Sequence, residues 1–293
     1  MKFQFIYENK EKFSVQKMCR RFSVSTSGYY KYLSSVGANK QAEYEKISKL
    51  MIKIEEENDW ELGGEGLRQG LKKQGIEIGL SKVYRIKRMY GIYPKTVPKK
   101  KHNRRKYKDN VITENTLDRK FETGEINKIW VGDIKYIPTD EGWDYLAVML
   151  DLGSRRVVGF AQKERMTVGL TIQALENAIG LRKPEPGLIC HNDRGSQYTC
   201  KKYQDLITEN GFTSSMSKPG TPYDNACAES FFATLEKNFL AFKHFKTREE
   251  ARYEIWTYIE GRYNSKRMHS SLGWISPMEY EQKLKTDEML KVS

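Results

Sequence analysis

Three acidic residues of this chain stand where a charged side chain is unusual. Asp133 lies inside the apolar and aromatic run IWVGDIKYIP, Asp193 ends the short apolar segment LICHND, and Glu229 follows in DNACAESFF. Buried strands and apolar helix faces rarely carry charge unless it is paired or bound to a metal. Three carboxylates on adjacent elements can hold two Mg²⁺ ions, for which Mn²⁺ can substitute, and such ions support phosphoryl transfer. We therefore predict that Asp133, Asp193 and Glu229 are metal ligands and catalytic residues.

The elements that must position these acids are predicted from hydrophobic periodicity and turn residues. Three strands with hairpin-length connections make an antiparallel meander, and helices then alternate with two short strands. The predicted strands are 129–138, 143–152, 155–162, 187–193 and 212–217, and the predicted helices are 167–180, 200–210 and 225–243. The order βββαβαβα is typical of a mixed sheet flanked by helices, an α/β (α+β) fold.

Capping sequences predict two more helices after this region. Thr247 with Glu250 forms a capping box for a helix over 248–263, and Ser276-Pro277 with Glu279 opens the last helix.

The positive charge of the chain is confined to its first third. Residues 1–108 hold 26 Lys and Arg against 11 Asp and Glu, whereas residues 109–293 hold 25 against 27. Such asymmetry is typical of a nucleic-acid-binding module joined to a second region.

This basic region is predicted to be helical. Two short helices around a turn are expected over 14–33, and single helices over 40–58 and 66–75. Another helix is expected from a Ser81 cap through Tyr90, with Gly91 ending it. The last helix carries Lys82, Arg85, Lys87 and Arg88 on its predicted outer faces. A helix, a short turn and a basic helix are the pattern of a helix-turn-helix, and a small helical bundle with solvated charges shares it. We predict Lys82, Arg85 and Arg88 as DNA-binding residues.

The densest basic run is 95–108, with eight Lys and Arg in fourteen residues. Pro94 and Pro98 exclude a regular helix there, so the run is predicted to be a linker. A flexible basic linker also neutralises phosphates directly. Its predicted DNA-binding residues are Lys99, Lys100, Lys101, Arg104 and Arg105.

Composition excludes several classes of protein. Hydrophobic residues make up 38% of the chain, too many for a disordered protein. No apolar run reaches the ~18 residues of a membrane span, and no secretory signal is visible. The four cysteines show no C-x-x-C spacing, which argues against a zinc ribbon or a disulfide framework. We expect a soluble cytoplasmic protein with no membrane partner.

Four groups of residues resemble one family of bacterial proteins. They are W-x-x-D-I at 130–134, H-N-D-R-G-S-Q-Y at 191–198, S-x-P-G-x-P-Y-D-N-A-x-A-E-S-F-F at 217–232 and Y-N-S-x-R-x-H-S-S-L-G at 263–273. The 35 residues between Asp193 and Glu229 also match the D, D-35-E arrangement of retroviral integrases and insertion-sequence transposases. Over nearly its whole length, the chain resembles the second-reading-frame product (OrfB) of the insertion-sequence-three family.

The resemblance implies an RNase-H-like catalytic core with a mixed five-stranded sheet and flanking helices, preceded by an all-α helix-turn-helix region. The implied divisions are a short helical segment over 1–38, a helix-turn-helix region over 39–93, a basic linker over 94–120, the integrase catalytic core over 121–245 and a helical extension over 246–293.

The resemblance also implies the activity, which is metal-dependent DNA cleavage at the ends of an element and strand transfer of the freed 3′-OH. The implied partners are DNA, as terminal inverted repeats and as target, and further copies of the chain on that DNA. A further implied partner is the first-frame product (OrfA), either as a separate protein or fused to this chain. The implied location is the bacterial cytoplasm, at the nucleoid. Two alternatives stay open: a catalytically silent partial product that binds DNA and regulates transposition, and a nuclease acting on RNA–DNA hybrids.

The chain departs from the family pattern near the third acid. The family often has Lys or Arg seven residues after that Glu, where this chain has Glu236. Lys237 follows as an imperfect DNA-binding substitute, because one residue is a 100° rotation on a helix. Asn192 stands where Ser is common in the family, and little effect is expected of it.

Three other residues near the motifs have two interpretations each. His191 is either a hydrogen-bonded structural residue or a group that acts beside Asp193. Arg267 and His269 match family positions, and they either contact DNA or pack the C-terminal segment on the core.

Overall fold

The computed structural model describes residues 2–35, 38–95, 125–217 and 226–292. The chain divides into two compact units, Met1–Pro94 and Lys95–Ser293. The finer domain boundaries expected from the family resemblance stay predictions. Within the described ranges, no helix combines the length and apolarity needed to cross a membrane.

The first unit is helical throughout its regular structure. Its helices are α1 (Lys2–Glu8), α2 (Val15–Arg21), α3 (Thr26–Ser35), α4 (Ala38–Glu57), α5 (Gly64–Lys73) and α6 (Leu80–Tyr90). The first three helices pack around a small apolar cluster of Ile6, Met18, Cys19 and Tyr29. The other three pack on one another, and α4 approaches α5 closely at Gly70, where a Cβ would lie 2.8 Å from the Ile54 side chain.

Two predictions about α6 are wrong. The helix begins at Leu80 with Gly79 as its N-cap, so Ser81 lies inside the first turn instead of capping it. Lys87 is buried rather than outward-facing, because it follows Val83 and Ile86 on the side that packs inward. Its ammonium lies 3.6 Å from the buried carboxylate of Glu55 on α4, and this pairing makes the buried position tolerable.

The second unit is built on a mixed five-stranded sheet. Its strands are β1 (Ile129–Thr139), β2 (Gly142–Asp151), β3 (Val157–Lys163), β4 (Ile189–Asn192) and β5 (Thr213–Met216). Their spatial order is β3-β2-β1-β4-β5. The first three strands pair antiparallel, whereas β4 pairs parallel with β1, and β5 pairs parallel with β4. The predicted meander and mixed five-stranded sheet are confirmed.

Helices cover both faces of this sheet. They are α7 (Val168–Arg182), α8 (Ser196–Thr199), α9 (Lys201–Glu209), α10 (Ala226–Asn238), α11 (Arg248–Tyr258) and α12 (Pro277–Val292). Strand β1 serves both layers because side chains alternate across a strand. Trp130 and Ile134 pack with α7 and α9, whereas Val131 and Ile137 pack on the side of α10.

The helices after the sheet are shorter than predicted. The helix expected over 225–243 gives way after Asn238 to a 3₁₀ turn at Leu240–Phe242. The helix expected over 248–263 is regular to Tyr258 and continues as a π-helical segment over Ile259–Asn264. A tighter 3₁₀ turn or a wider π-helical segment can therefore replace the α-helical pattern without a sequence breaker.

The two predicted capping boxes differ in completeness. Ser276 and Glu279 bond reciprocally, with Glu279 N–H donating to Ser276 Oγ at 3.2 Å and Ser276 N–H donating to Glu279 Oε2 at 2.7 Å. Thr247 accepts from Glu250 N–H at 3.1 Å, but the Glu250 carboxylate accepts from Lys246 N–H instead. The Ser276–Glu279 box is confirmed in full. Of the Thr247–Glu250 box, only the hydrogen bond from Glu250 N–H to Thr247 is confirmed.

A charge cluster anchors α12 to the sheet layer, and we call it the anchoring cluster. Glu281 Oε2 accepts from Arg156 Nη1 at 2.9 Å and from Arg182 Nη1 at 2.7 Å. Next to it, Asn264 bonds both backbone groups of Val157 at 3.0 Å. The C-terminal helix is thus held to the core by specific polar contacts.

Candidate active site

The parallel pairing of β1 and β4 brings two of the predicted acids side by side. Val131 is paired with His191, so Asp133 and Asp193, two residues further along the two parallel segments, lie next to each other. Asp133 lies in the middle of β1, and Asp193 directly follows the last residue of β4. Because parallel neighbours keep a constant offset, this register alone aligns the two carboxylates at the end of β4.

The third acid reaches the same region from a helix. Asp133 shares a face of β1 with Val131 and Ile137, and this face packs against α10. Glu229 is the fourth residue of α10, next to Ala228, which packs with Val131. The Glu229 residue is exposed, whereas Asp133 and Asp193 are half-buried.

The electrostatics show that the carboxylates of Asp193 and Glu229 act on Asp133. The pKa of Asp133 is raised to about 7, first by burial, then by repulsion from Asp193, with a smaller contribution from Glu229. The Ile134 N–H, which donates to Asp133 Oδ1 at 2.8 Å, and the positive charge of Lys135 oppose the rise. Burial also raises the pKa of Asp193, against a hydrogen bond from Gly195 N–H at 2.9 Å.

The donor set fits a divalent cation by its chemistry. Carboxylate oxygens are the ligands that Mg²⁺ prefers, and acids with raised pKa values gain most from a nearby positive charge. As placed, no group of three or more His, Cys, Asp or Glu side chains among the described residues is arranged to hold an ion. Asp133 and Asp193 nevertheless lie side by side, with Glu229 near Asp133 on α10.

His191 has the surroundings of a structural residue. It is fully buried, and its two ring nitrogens lie 2.9 Å from Ser215 Oγ and 3.1 Å from Ser217 Oγ. These contacts tie the end of β4 to the end of β5 just before Asp193. The structural interpretation is therefore favoured over a direct role at the acids.

Gly132 and Asn192 fit together directly beside the acids, a feature that sequence reasoning missed. Asn192 is fully buried, and a Cβ built on Gly132 would lie 2.2 Å from Asn192 Oδ1. A side chain at position 132 would therefore displace Asn192, which immediately precedes Asp193. Only the pairing of β1 with β4 reveals this contact, so no local sequence signal could have indicated it.

Lys135 is a second residue that sequence reasoning missed. Its Nζ lies 3.1 Å from Glu236 Oε2 on α10. Lys237, predicted as a DNA-binding residue, is exposed on the outer side of the same helix. The signal that could have found Lys135 is its position two residues after Asp133, which puts both on one face of the strand.

The C-terminal candidates lie in a packed environment. The ring of His269 stacks edge-on against Tyr263 at 5.1 Å, and its pKa is lowered to about 3 by burial and then by the charges of Arg267 and Arg155. A neutral, buried imidazole favours the packing interpretation for His269. Arg267 is half-buried beside it, and its DNA-binding role stays a prediction.

The N-terminal candidates differ in how engaged they are. Lys82 pairs with Glu43 on α4 at 2.7 Å, and Arg85 is exposed, with Nη1 3.4 Å from Tyr44 Oη. Arg88 is exposed on the outer surface of α6. The predicted DNA-binding residues of the linker lie outside the described residues: Lys99, Lys100, Lys101, Arg104 and Arg105.

Comparison with known proteins identifies relatives along the whole chain. A family model described as Integrase core domain matches residues 125–222, and a second of the same description matches residues 210–277. The transposase for insertion sequence element IS904 of Lactococcus lactis subsp. lactis (strain IL1403) is 40% identical over 245 residues, 83% of this chain and 96% of the relative. Transposase InsF for insertion sequence IS3A of Escherichia coli (strain K12) is 35% identical over 285 residues, 97% of this chain and 99% of the relative.

Two solved structures are more distant. An intasome of simian T-cell lymphotropic virus in complex with PP2A regulatory subunit B56 gamma shares 18% identity, with a TM-score of 0.44 over 73% of this chain and 69% of that one. The HTLV-2 integrase catalytic core domain in complex with magnesium (trimeric form) shares 20% identity, with a TM-score of 0.39 over 53% of this chain and 95% of that one. The integrase-core matches agree with the predicted RNase-H-like sheet, and the full-length relatives are insertion-sequence transposases. The chain therefore belongs to the IS3 family of insertion-sequence transposases.

Proposed function

We propose that this transposase cuts DNA at the ends of its element and joins the freed 3′-OH to new DNA at the Asp133, Asp193 and Glu229 site. The observation that carries the proposal is the alignment of Asp133 with Asp193 by the β1–β4 register, with Glu229 close enough to raise the Asp133 pKa. Titratable groups with strongly shifted pKa values cluster at functional sites.

In the first step, a water oxygen forms a bond to the phosphorus at the end of the element. The bond from that phosphorus to the 3′-oxygen breaks, the leaving 3′-oxygen takes a proton to become the 3′-OH, and the proton lost by water goes to solvent or a carboxylate. In the second step, the 3′-OH loses its proton to solvent or a carboxylate as its oxygen forms a bond to a phosphorus of another DNA strand. The bond from that phosphorus to the leaving oxygen of the same strand breaks, and the leaving oxygen takes a proton. Each step exchanges one P–O bond for another, so neither an oxidant nor a covalent protein intermediate is needed.

The three carboxylates would hold two Mg²⁺ ions, which when bound activate the attacking oxygen and stabilise the leaving oxygen. The protein itself contributes position. Ile134 N–H and Gly195 N–H each hold one carboxylate oxygen, and the His191 contacts fix the strand end that carries Asp193. Such preorganised geometry is the main contribution a protein makes to phosphoryl transfer.

DNA binding in this proposal belongs to the basic first third of the chain and to the catalytic site. Arg85 and Arg88 are exposed on α6, and the linker candidates supply further positive charge. Phosphate contacts from such residues position the DNA without reading its sequence. Assembly of several copies on DNA and cooperation with a first-frame product belong to the same proposal.

A cleavage assay on the element's own end tests the proposal. A labelled duplex carrying the terminal repeat is incubated with protein and Mg²⁺ or Mn²⁺, beside Asp193→Asn and the matched control Asp205→Asn, an exposed acid on α9. Metal-dependent nicking and longer transfer products are expected from the wild type and from Asp205→Asn, and not from Asp193→Asn.

Binding without cleavage would instead favour the silent regulator, and the first-frame region would then be fused on and the assay repeated. Cleavage of an RNA–DNA hybrid in preference to the repeat duplex would favour the nuclease alternative.

A further inference from the structure

One positively charged side chain lies on the same face of β1 as the candidate catalytic acid. Lys135 follows Asp133 by two residues, so both side chains project toward α10 and lie on the order of 7 Å apart along the strand. Asp193, Glu229 and Glu236 approach the same face. A DNA strand at this site would meet a surface of carboxylates in which Lys135 provides an attractive group.

The partner of Lys135 is placed by the helical repeat of α10. Glu229 and Glu236 are seven residues apart, nearly two full turns, so they share one side of the helix. Glu236 Oε2 accepts from Lys135 Nζ at 3.1 Å. Lys237, the nearest basic residue of α10, is rotated by about 100° and exposed away from this side. The basic partner of Glu236 therefore comes from the strand.

The pair is accessible to a ligand. The Lys135 side chain is 26% exposed and the Glu236 side chain 36% exposed, so neither is locked in the core. An ammonium has three donors, and one bond to Glu236 leaves the others for an incoming oxygen. A solvent-accessible pair of this kind contributes little to stability, so a purely structural role would have little effect on folding.

We propose that Lys135 binds a backbone phosphate of the DNA strand in the active site, next to the phosphate that reacts, and that Glu236 competes with this phosphate for the Lys135 ammonium. The inference rests on the proposed function, because that function brings the strand to Asp133. Lys135 is thus a DNA-positioning residue, and Glu236 limits how strongly it attracts phosphate.

The test measures DNA binding, so it does not depend on cleavage. The affinity for a terminal-repeat duplex is measured against salt concentration in Ca²⁺ for the wild type, Lys135→Gln, Lys135→Arg and Glu236→Gln. Lys128→Gln is the matched control, because Lys128 forms an exposed pair with Glu125 before β1. Thermal unfolding of every variant establishes that it is folded.

The two members of the pair are expected to shift affinity in opposite directions. Lys135→Gln weakens binding about fivefold to tenfold at 0.1 M salt and lowers the log–log salt slope by about 0.9, the value of one phosphate contact. Glu236→Gln strengthens binding about twofold, because it removes a negative charge beside the phosphate. Lys135→Arg and Lys128→Gln bind as the wild type does. Weakening by both Lys135→Gln and Glu236→Gln would overturn the proposal, since a structural pair is broken by either change.

A neutral phosphate in the DNA locates the contact. Methylphosphonate linkages are placed one at a time along the end of the repeat, and each duplex is tested with the wild type and with Lys135→Gln. One linkage next to the reacting phosphate is expected to weaken DNA binding by the wild type and to leave binding by Lys135→Gln unchanged. The neutral linkage and the substitution remove the same interaction, so their effects do not add. Equal sensitivity of both proteins at every linkage would overturn the proposal. A wild type that binds but does not cut would count against the proposed function alone.

Discussion

Two clusters of charged residues in the second unit each contain a carboxylate, but the charges around that carboxylate have opposite signs. In the anchoring cluster, Glu281 is buried between Arg156 and Arg182, and hydrogen bonding and charge from Arg182 lower its pKa despite burial. In the proposed catalytic cluster of Asp133, Asp193 and Glu229, Asp133 faces other carboxylates, and its pKa rises to about 7. In the first cluster opposite charges face one another, whereas the second is stabilised only by a cation or by protonation.

The comparison shows how one sheet can carry both stability and function. A balanced cluster holds α12 in place, so its disruption should affect folding. An unbalanced cluster costs stability and is retained for its chemistry, which is a recurrent feature of active sites. Changes in the two clusters should therefore separate activity from stability.

The largest expected effect is on activity. Asp133→Asn should reduce metal-dependent cleavage by at least about 10³-fold, because metal ions contribute several kcal/mol to the transition state. The fold should persist, since Asn keeps the size of the side chain. Initial rates on the terminal-repeat duplex measure this, with Asp205→Asn as the control. Near-normal cleavage by Asp133→Asn would remove this residue from the proposed site.

The anchoring cluster should respond in the opposite way. Glu281→Gln leaves Arg156 and Arg182 with uncompensated charge and should lower the free energy of unfolding by about 3 kcal/mol. Urea unfolding of the full chain measures the loss. Glu279→Gln is not a suitable control because Glu279 caps α12, so the exposed Glu249 on α11 is changed instead. A loss no larger than that of Glu249→Gln would show that the cluster contributes little.

The packing beside the acids should give an intermediate effect with a distinctive rescue. Gly132→Ala should destabilise the protein by about 1–3 kcal/mol, the usual cost of overpacking, because its Cβ would overlap Asn192 Oδ1. Asn192→Ser shortens the opposing side chain, so the double variant should recover much of the loss. Thermal unfolding of the two single variants and the double variant measures the coupling. Additive losses would mean that the two residues do not contact each other in solution.

The last expected effect concerns the pH dependence of stability in metal-free protein. The Asp133 pKa is raised from 3.8 to about 7, so the folded state binds more protons than the unfolded state between these values. Stability should therefore fall as pH rises through this window, and the penalty is complete above pH 7. Asp133→Asn should show a smaller fall. Melting temperatures in chelator at pH 5 and pH 8 compare the two, and parallel profiles would contradict the raised pKa.

Local patterns in the sequence predicted much of the fold. Alternating and helical periodicities located all five strands and most of the helices, because these periods depend on neighbours in the chain. Helices α1 and α8 were not predicted. Errors arose where packing overrides local preference. Lys87 was predicted on the outer surface from its charge, and only contact with Glu55 on α4 makes its burial possible. Ser81 has a capping side chain, yet the helix already begins at Leu80, with Gly79 as its N-cap.

By itself, the sequence determined the family, the class of fold and the three acids that could carry the chemistry. Residue types and spacing are sufficient for this, since an acid inside an apolar run is unusual wherever the run is placed. The tertiary structure alone decided which side chains meet. The β1–β4 register aligns Asp133 with Asp193, and the docking of α10 pairs Glu236 with Lys135. Such contacts join residues that are distant in the chain, and their geometry depends on how whole elements pack.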